Sequence, residues 1–343
     1  DGKPFGAGCS AVPADGKGTL VDGEAMATGD IRNLGNGPEW IGTDTGDQLV
    51  YTRFLAGMPK TRANARLALA QQLRDGSWRY GFLAPTNLAR AVPYASHDWR
   101  DASPRISYVD PSGRHYWRNL REPGSERLVE HYPPDQYYYA LRFVEGERAA
   151  TFPAVVDGVQ QVFRLDLDTG IETQLTFDAG QKDLGTRAWM WPAPEFAGAR
   201  VMATVADDTE LRIYRENPGQ AQWTLLRSIR TPQGGTINSP EYFTYNGASY
   251  VFFVANVPPS TLPSQLFLAS IDPANPLLAQ LTPDLPRRMR TDPEVFVADD
   301  GPYIYFNRQT IDASGNQYCM TCNEGIFRSY TGLVPQAKPI RTR

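Results

Sequence analysis

Carboxylates recur beside prolines along this chain. Glu39 stands in "GPEW", Asp135 in "PPDQ", Glu195 in "PAPEF", Glu241 in "SPEYF" and Glu294 in "DPEVF", while "VPYAS" puts Tyr94 at the same place. Asp292 stands two residues before Glu294. Carboxyl groups forced together repel, and three outcomes relieve them: a bound cation, shared protons with raised pKa values, or a basic partner. Two carboxyls a few ångströms apart can also act as the acid and base of a hydrolase, one kept protonated by its neighbour. On that chemistry Asp292, Glu241 and Glu195 are the candidate catalytic residues. Glu39, Glu195, Glu241 and Glu294 are the candidate oxygen set for a cation such as Ca²⁺. A plainer reading stands beside these. Each acid accepts backbone N–H bonds or pairs with an arginine between structural units, with Arg53, Arg105, Arg118, Arg215 and Arg308 as available cations.

What must position these acids is a repeat. Pro38, Pro93, Pro134, Pro194, Pro240 and Pro293 follow one another at intervals of 41 to 60 residues. After each comes a short apolar run, a turn with Gly or Asp, and a second run such as "QLVYTRF", "SYVFFVA" or "YIYFNR". Third runs ("QVFRLDLDTG", "ELRIYRENPG", "QLFLASIDPAN") and fourth runs ("ETQLTF", "WTLLRSI", "LLAQLTP") complete the unit. Runs of four to eight residues bounded by Gly, Pro, Asn and Asp are strand signals. "YNGA" reads as a hairpin turn. "KTRANARLALAQQLRD" has helical spacing as well, but the unit needs a strand there, with Ala65, Leu67, Leu69 and Gln71 alternating. Repeats of this length built from strands indicate an all-β propeller. The count is about six four-stranded blades starting near 38, 90, 134, 193, 239 and 292, or five if the weak second unit elaborates the first. Residues 38–333 then hold the blades of a single domain, 1–37 close the ring beside the three-stranded last blade, and 334–343 are a polar tail. In such a ring the starts of the inner strands converge on one axis, so the acids form one mouth.

Composition narrows the partners. The formal net charge is −4 with no basic stripe, which argues against nucleic acid. No apolar run approaches the roughly 20 residues of a membrane helix. The sequence begins at Asp1 without an apolar leader, which reads as a processed chain located outside the cell or in the periplasm. Three cysteines, Cys9, Cys319 and Cys322, lie near the two ends. One disulfide from Cys9 to Cys319 or Cys322 fits ring closure. Three unpaired core thiols stand equally well, and a Cys319–Cys322 redox pair comes third.

Two resemblances follow from these phrases. "LDLDTGIETQLTF" is similar to the repeat of TolB-type propellers, which implies fold alone. "WMWPAPEF", "SPEYFTYNGASYVFF" and "TDPEVFVADDGPYIYF" resemble phrases of secreted propeller glycosidases of the arabinanase and xylosidase type. That resemblance implies three acids at inner strand ends, with Asp292 as base or orienting residue and Glu195 and Glu241 at phrase positions of less defined role. Gly37-Pro38 stands where those enzymes have Asp-Pro, and their Glu-Gly-Pro phrase is absent.

Further candidate ligand-binding residues are Tyr94, Trp191, Asp135 and the loop "YASHDWRD" with His97 and Trp99. Together they describe an acidic axial pocket that binds or hydrolyses a glycan or other small molecule. A non-enzymatic scaffold holding a cation or basic partner is the alternative, and a metal-dependent lactonase-type hydrolase is a third.

Overall fold

The computed structural model describes residues 39–43, 46–55, 58–59, 61–73, 78–83, 86–95, 104–122, 124–129, 141–180, 188–220, 222–256, 258, 262–283, 288–298, 300–310 and 323–335. Their strands form six antiparallel sheets, each in simple chain order. The first blade is β1 (Glu39–Thr43), β2 (Gly46–Phe54), β3 (Ala65–Gln72) and β4 (Trp78–Phe82). The second is β5 (Ala91–Ala95), β6 (Arg105–Val109), β7 (His115–Asn119) and β8 (Arg127–Leu128). The third is β9 (Arg142–Phe143), β10 (Ala149–Val156), β11 (Val159–Asp166) and β12 (Glu172–Gln174). The fourth is β13 (Trp189–Pro192), β14 (Arg200–Ala206), β15 (Glu210–Arg215) and β16 (Thr224–Ile229). The fifth is β17 (Ile237–Tyr245), β18 (Ala248–Asn256), β19 (Pro263–Ser270) and β20 (Leu278–Gln280). The sixth has three strands among the described residues, β21 (Arg288–Ala298), β22 (Gly301–Thr310) and β23 (Asn323–Tyr330). This is a six-bladed β-propeller.

The segment that spacing left between helix and strand is β3, preceded by one 3₁₀ turn at Arg62–Asn64. The Asn-Gly turn also forms as read. Asn246 and Gly247 both have positive φ, 51° and 79°, as the tight turn joining β17 to β18 requires. Two blade starts differ from the proline spacing. Among the described residues the third blade begins at Arg142, beyond Pro134, and the fourth begins at Trp189, ahead of Pro194. The N-terminal segment expected to close the ring lies outside the described residues.

Both faces of each sheet are apolar because blades pack face to face. Trp189, Val201 and Ile213 of the fourth blade meet Ile237, Val251 and Phe253 of the fifth. Phe252 and Leu268 meet Ile304, Phe306 and Phe327 of the sixth. Hydroxyls on the second strands of the first three blades tie them to the backbone at or just before the next inner strand. Thr52 Oγ1 accepts from Val92 N–H at 3.0 Å, Ser107 Oγ donates to the Leu141 carbonyl at 2.5 Å, and Thr151 Oγ1 donates to the Ala188 carbonyl.

The recurring X-Pro phrase has a structural cause. In β5, β17 and β21 the ladder slips between Ala91 and Tyr94, Asn238 and Glu241, and Thr291 and Glu294. In each case two residues oppose one, the signature of a β-bulge. The first bulge residue takes a positive φ: 57° at Val92, 46° at Ser239 and 48° at Asp292. The second is proline, which has no N–H for the bulge to leave unpaired. The residue after it, Tyr94, Glu241 or Glu294, is thereby re-aimed relative to a regular strand.

Left-handed backbone is strained for side chains branched at Cβ and comfortable for glycine. Ser239→Gly is therefore expected to be neutral or stabilising, whereas Ser239→Val should cost about 1–2 kcal/mol. Urea unfolding of both variants checks this, and equal stabilities would contradict it.

Candidate functional site

Each blade contributes one residue, from its innermost strand, to a cluster at the axis. These are Glu39, Tyr94, Arg142, Trp189, Glu241 and Glu294. Their ladder partners on the second strands are Val50, Ser107, Thr151, Ala203, Phe252 and Tyr305, so the six occupy comparable registers.

Arg142 organises the group. Its guanidinium carbon lies 3.8 Å from the centre of the Tyr94 ring and 4.2 Å from that of Trp189, so neighbouring blades clamp it between aromatic faces. Its Nη2 is 3.5 Å from Glu241 Oε1, and the two side chains are 11% and 12% exposed. Its Nε and Nη1 are buried and find no acceptor among the described residues. Trp189 is itself fixed by an indole N–H bond of 2.7 Å to the carbonyl of Pro240, the proline of the fifth-blade bulge. The same bulge thus sets both Glu241 and the ring that holds its counter-ion.

The three carboxyls are crowded. Glu39 is 5% exposed, and its Oε2 accepts the Ala95 N–H at 3.1 Å. Glu241 shares a hydrogen bond with Glu294. Burial, and then the negative charges of Glu39 and Asp292 acting against the pull of Arg142, push Glu241 up to about 8. Burial and the charges of Glu241 and Glu39 hold Glu294 well above the ordinary carboxylate range. The magnitude is reasonable. Like charges about 4 Å apart at an effective dielectric of about 20 repel by about 4 kcal/mol, equivalent to about three pH units. The pair therefore keeps a proton at neutral pH. Of the three outcomes open to converging acids, two operate together: a basic partner and a shared proton.

The remaining candidates fall elsewhere. Glu195 belongs to the 3₁₀ turn Pro194–Phe196, after the inner strand rather than at its start. Its carboxylate accepts the backbone N–H and the hydroxyl of Ser249, both at 2.9 Å, and so ties the fourth blade to the fifth away from the axis. Here the inter-blade reading of the acids applies. Trp191 is 1% exposed, stacked parallel on Tyr242 at 4.1 Å and bonded to Ser249 Oγ, which makes it core. Tyr94 does reach the axis, but its ring is covered by Arg142. Asp292 occupies the bulge, so strand alternation does not place it on the face of Glu294; it is nonetheless near enough to raise Glu241 and Glu294. Arg105, a possible partner of the acids, donates to the Glu147 carbonyl at 2.7 Å. Among the described residues no three His, Cys, Asp or Glu side chains are grouped to hold a metal ion. Asp135, His97, Trp99, Cys9, Cys319 and Cys322 lie outside the described residues.

Sequence reasoning missed Arg142 and Trp189, which no proline precedes. Counting back from the hairpins "AATFPAVVDGVQQVFRLD" and "ARVMATVADDTELRIYR" would have found both inner strands.

No protein-family model matches the chain, and no curated protein matches it in sequence. Solved propellers resemble it in fold. TolB from Acinetobacter baumannii aligns with a TM-score of 0.47 and 15% identity over 84% of this chain, which spans 64% of the length of that protein. A putative TolB from Agrobacterium tumefaciens aligns at 0.49 and 14% over 87% of this chain and 90% of its own. Trypanosoma rangeli sialidase in complex with sialic acid aligns at 0.49 and 11% over 80% and 52%.

The shared proton has a consequence for stability. An unfolded glutamate releases its proton near pH 4.3, whereas native Glu241 keeps it to about 8. Folding therefore takes up a proton in that window, and the stabilisation present at its acid end is lost as pH rises through about 8. Between about pH 5.5 and 8.5 the wild type should lose about 3 kcal/mol more than Glu241→Gln. Unfolding of both proteins at the two pH values measures the difference, and parallel profiles would contradict the assignment.

Proposed function

We propose that the chain binds a glycan at the axial mouth of the propeller. The observation that carries this reading is the mixture of unspent hydrogen-bonding groups on Arg142 and the Glu241–Glu294 pair. Two buried guanidinium nitrogens lack acceptors among the described residues, and the carboxyl pair holding one proton both donates and accepts. Sugar hydroxyls also donate and accept, so a neutral, hydroxyl-rich ligand matches a site of this kind. An apolar ligand would leave those groups desolvated without partners. An anion would meet the carboxyls of Glu39, Asp292 and the Glu241–Glu294 pair. The same charge balance leaves a cation or basic partner as the competing occupant.

Hydrolysis is the second reading, favoured by the proton held on Glu241 at neutral pH, as a general acid requires. The partner in that case is Asp292. Glu241 and Glu294 share one hydrogen bond and are too close to flank a glycosidic bond, which needs carboxyls about 5–5.5 Å or 6.5–9.5 Å apart. An exported location accompanies both readings; among the described residues no helix is long and apolar enough to cross a membrane.

A panel of plant and bacterial polysaccharides and aryl glycosides tests the proposal by calorimetry and by release of reducing ends. Binding by the wild type is expected, weakened about tenfold or more by Arg142→Met, which keeps bulk and loses the donors. Hydrolysis, if present, should vanish in Glu241→Gln and Asp292→Asn while binding persists. Absence of binding across the panel, with divalent cations or basic peptides bound instead, would overturn it.

A further inference from the structure

The outer halves of the second and third blades enclose a cleft that the axial site does not use. Its volume is about 470 Å³, within the range of small-ligand sites. It lies between β7–β8 and the β11–β12 hairpin, with Arg148, just before β10, at its inner edge. Trp117, Val129, Leu165 and Leu167 give it apolar lining, and Leu128 stands 43% exposed at its edge.

The polar lining is of both signs. Arg127 and Arg148 supply donors, and Glu122, Asp166, Asp168 and Glu172 supply acceptors. Some of these are committed. Asp166 Oδ1 accepts the N–H groups of Asp168 and Thr169 within its own turn, and Glu122 accepts from Asn119 at 3.0 Å. Others remain accessible. Arg148 and Asp168 pair at 2.8 Å with side chains 49% and 55% exposed, Glu172 is exposed, and so are both residues of β8.

We infer that this cleft binds one neutral sugar ring, with its C–H face against Trp117 and its hydroxyl edge toward Arg127, Arg148, Asp168 and Glu172. A pyranose has an apolar face and an edge of groups that donate and accept, which is the division this lining presents. A wholly apolar ligand would strip water from six charged side chains. Four carboxylates against two guanidiniums disfavour an anion. The inference stands apart from the axial reading, since the two sites share no residue.

Saturation-transfer NMR with methyl glycosides of neutral hexoses and 6-deoxyhexoses tests it. The expected result is transfer to the ring C–H protons of at least one sugar, with affinity lowered about tenfold or more in Trp117→Ala. The double variant Arg127→Ala/Glu172→Ala, whose side chains are solvent-facing and so leave the core untouched, should show the same loss. No transfer from any sugar would overturn the inference. Transfer unchanged in the double variant would overturn it too. If Arg142→Met abolishes transfer and the double variant does not, the ring sits at the axis and the cleft assignment fails while the axial proposal stands. A lysine-rich peptide that binds in a manner sensitive to the double variant, where no sugar does, would equally overturn it.

Discussion

A guanidinium clamped between two aromatic rings is the constraint on which the axial site depends. Six inner strands bring Glu39, Glu241 and Glu294 to one place, and that convergence is untenable without compensation. Arg142 provides one positive charge, and Tyr94 and Trp189 make its burial tolerable by facing it on both sides. Burial and mutual repulsion act against that charge on Glu241 and Glu294, and the pair keeps a proton. Lysine could not replace Arg142 here, because stacking against two rings requires a planar cation.

Local backbone strain serves the same end. Val92, Ser239 and Asp292 sit at positive φ, each costing on the order of 1 kcal/mol, and inter-blade packing holds them there. The proline that follows removes a donor the bulge would otherwise orphan. Hydroxyls of Thr52, Ser107 and Thr151 hold the adjoining inner-strand backbone, and the Trp189 indole holds Pro240. Glu195 uses the same Pro-Glu dipeptide differently. Its proline starts a 3₁₀ turn, so the acid caps a neighbouring strand instead of entering the axis.

The blade number, the strand order within blades, the Asn-Gly turn and β3 were all legible in the sequence, because strand runs and turn residues are local signals. The positions of Glu39, Glu241 and Glu294 were legible for the same reason. The phase of the third and fourth blades was not. Among the described residues neither inner strand contains an X-Pro bulge, so aligning on prolines pointed to Asp135 and Glu195 and passed over Arg142 and Trp189. Nor could Trp191 be separated from ligand-facing aromatics by sequence, since its burial against Tyr242 depends on how blades four and five meet. Whether an acid ends as a structural tie or as part of a charge cluster depends on its neighbours across blades, which no single repeat encodes.

The axial cluster therefore combines a positioned cation, a glutamate pair raised by burial and further carboxyls in one largely buried place, an arrangement suited to polar recognition and open to acid catalysis. The most direct test of this account is the titration of the glutamate side-chain carboxyls by ¹³C NMR, with Glu241→Gln and Glu294→Gln used to assign the coupled pair. The account predicts carboxyl resonances of Glu241 and Glu294 that change together, with a step at about pH 8, and that step should disappear in either variant. Titration of every glutamate below about pH 5.5 would contradict it.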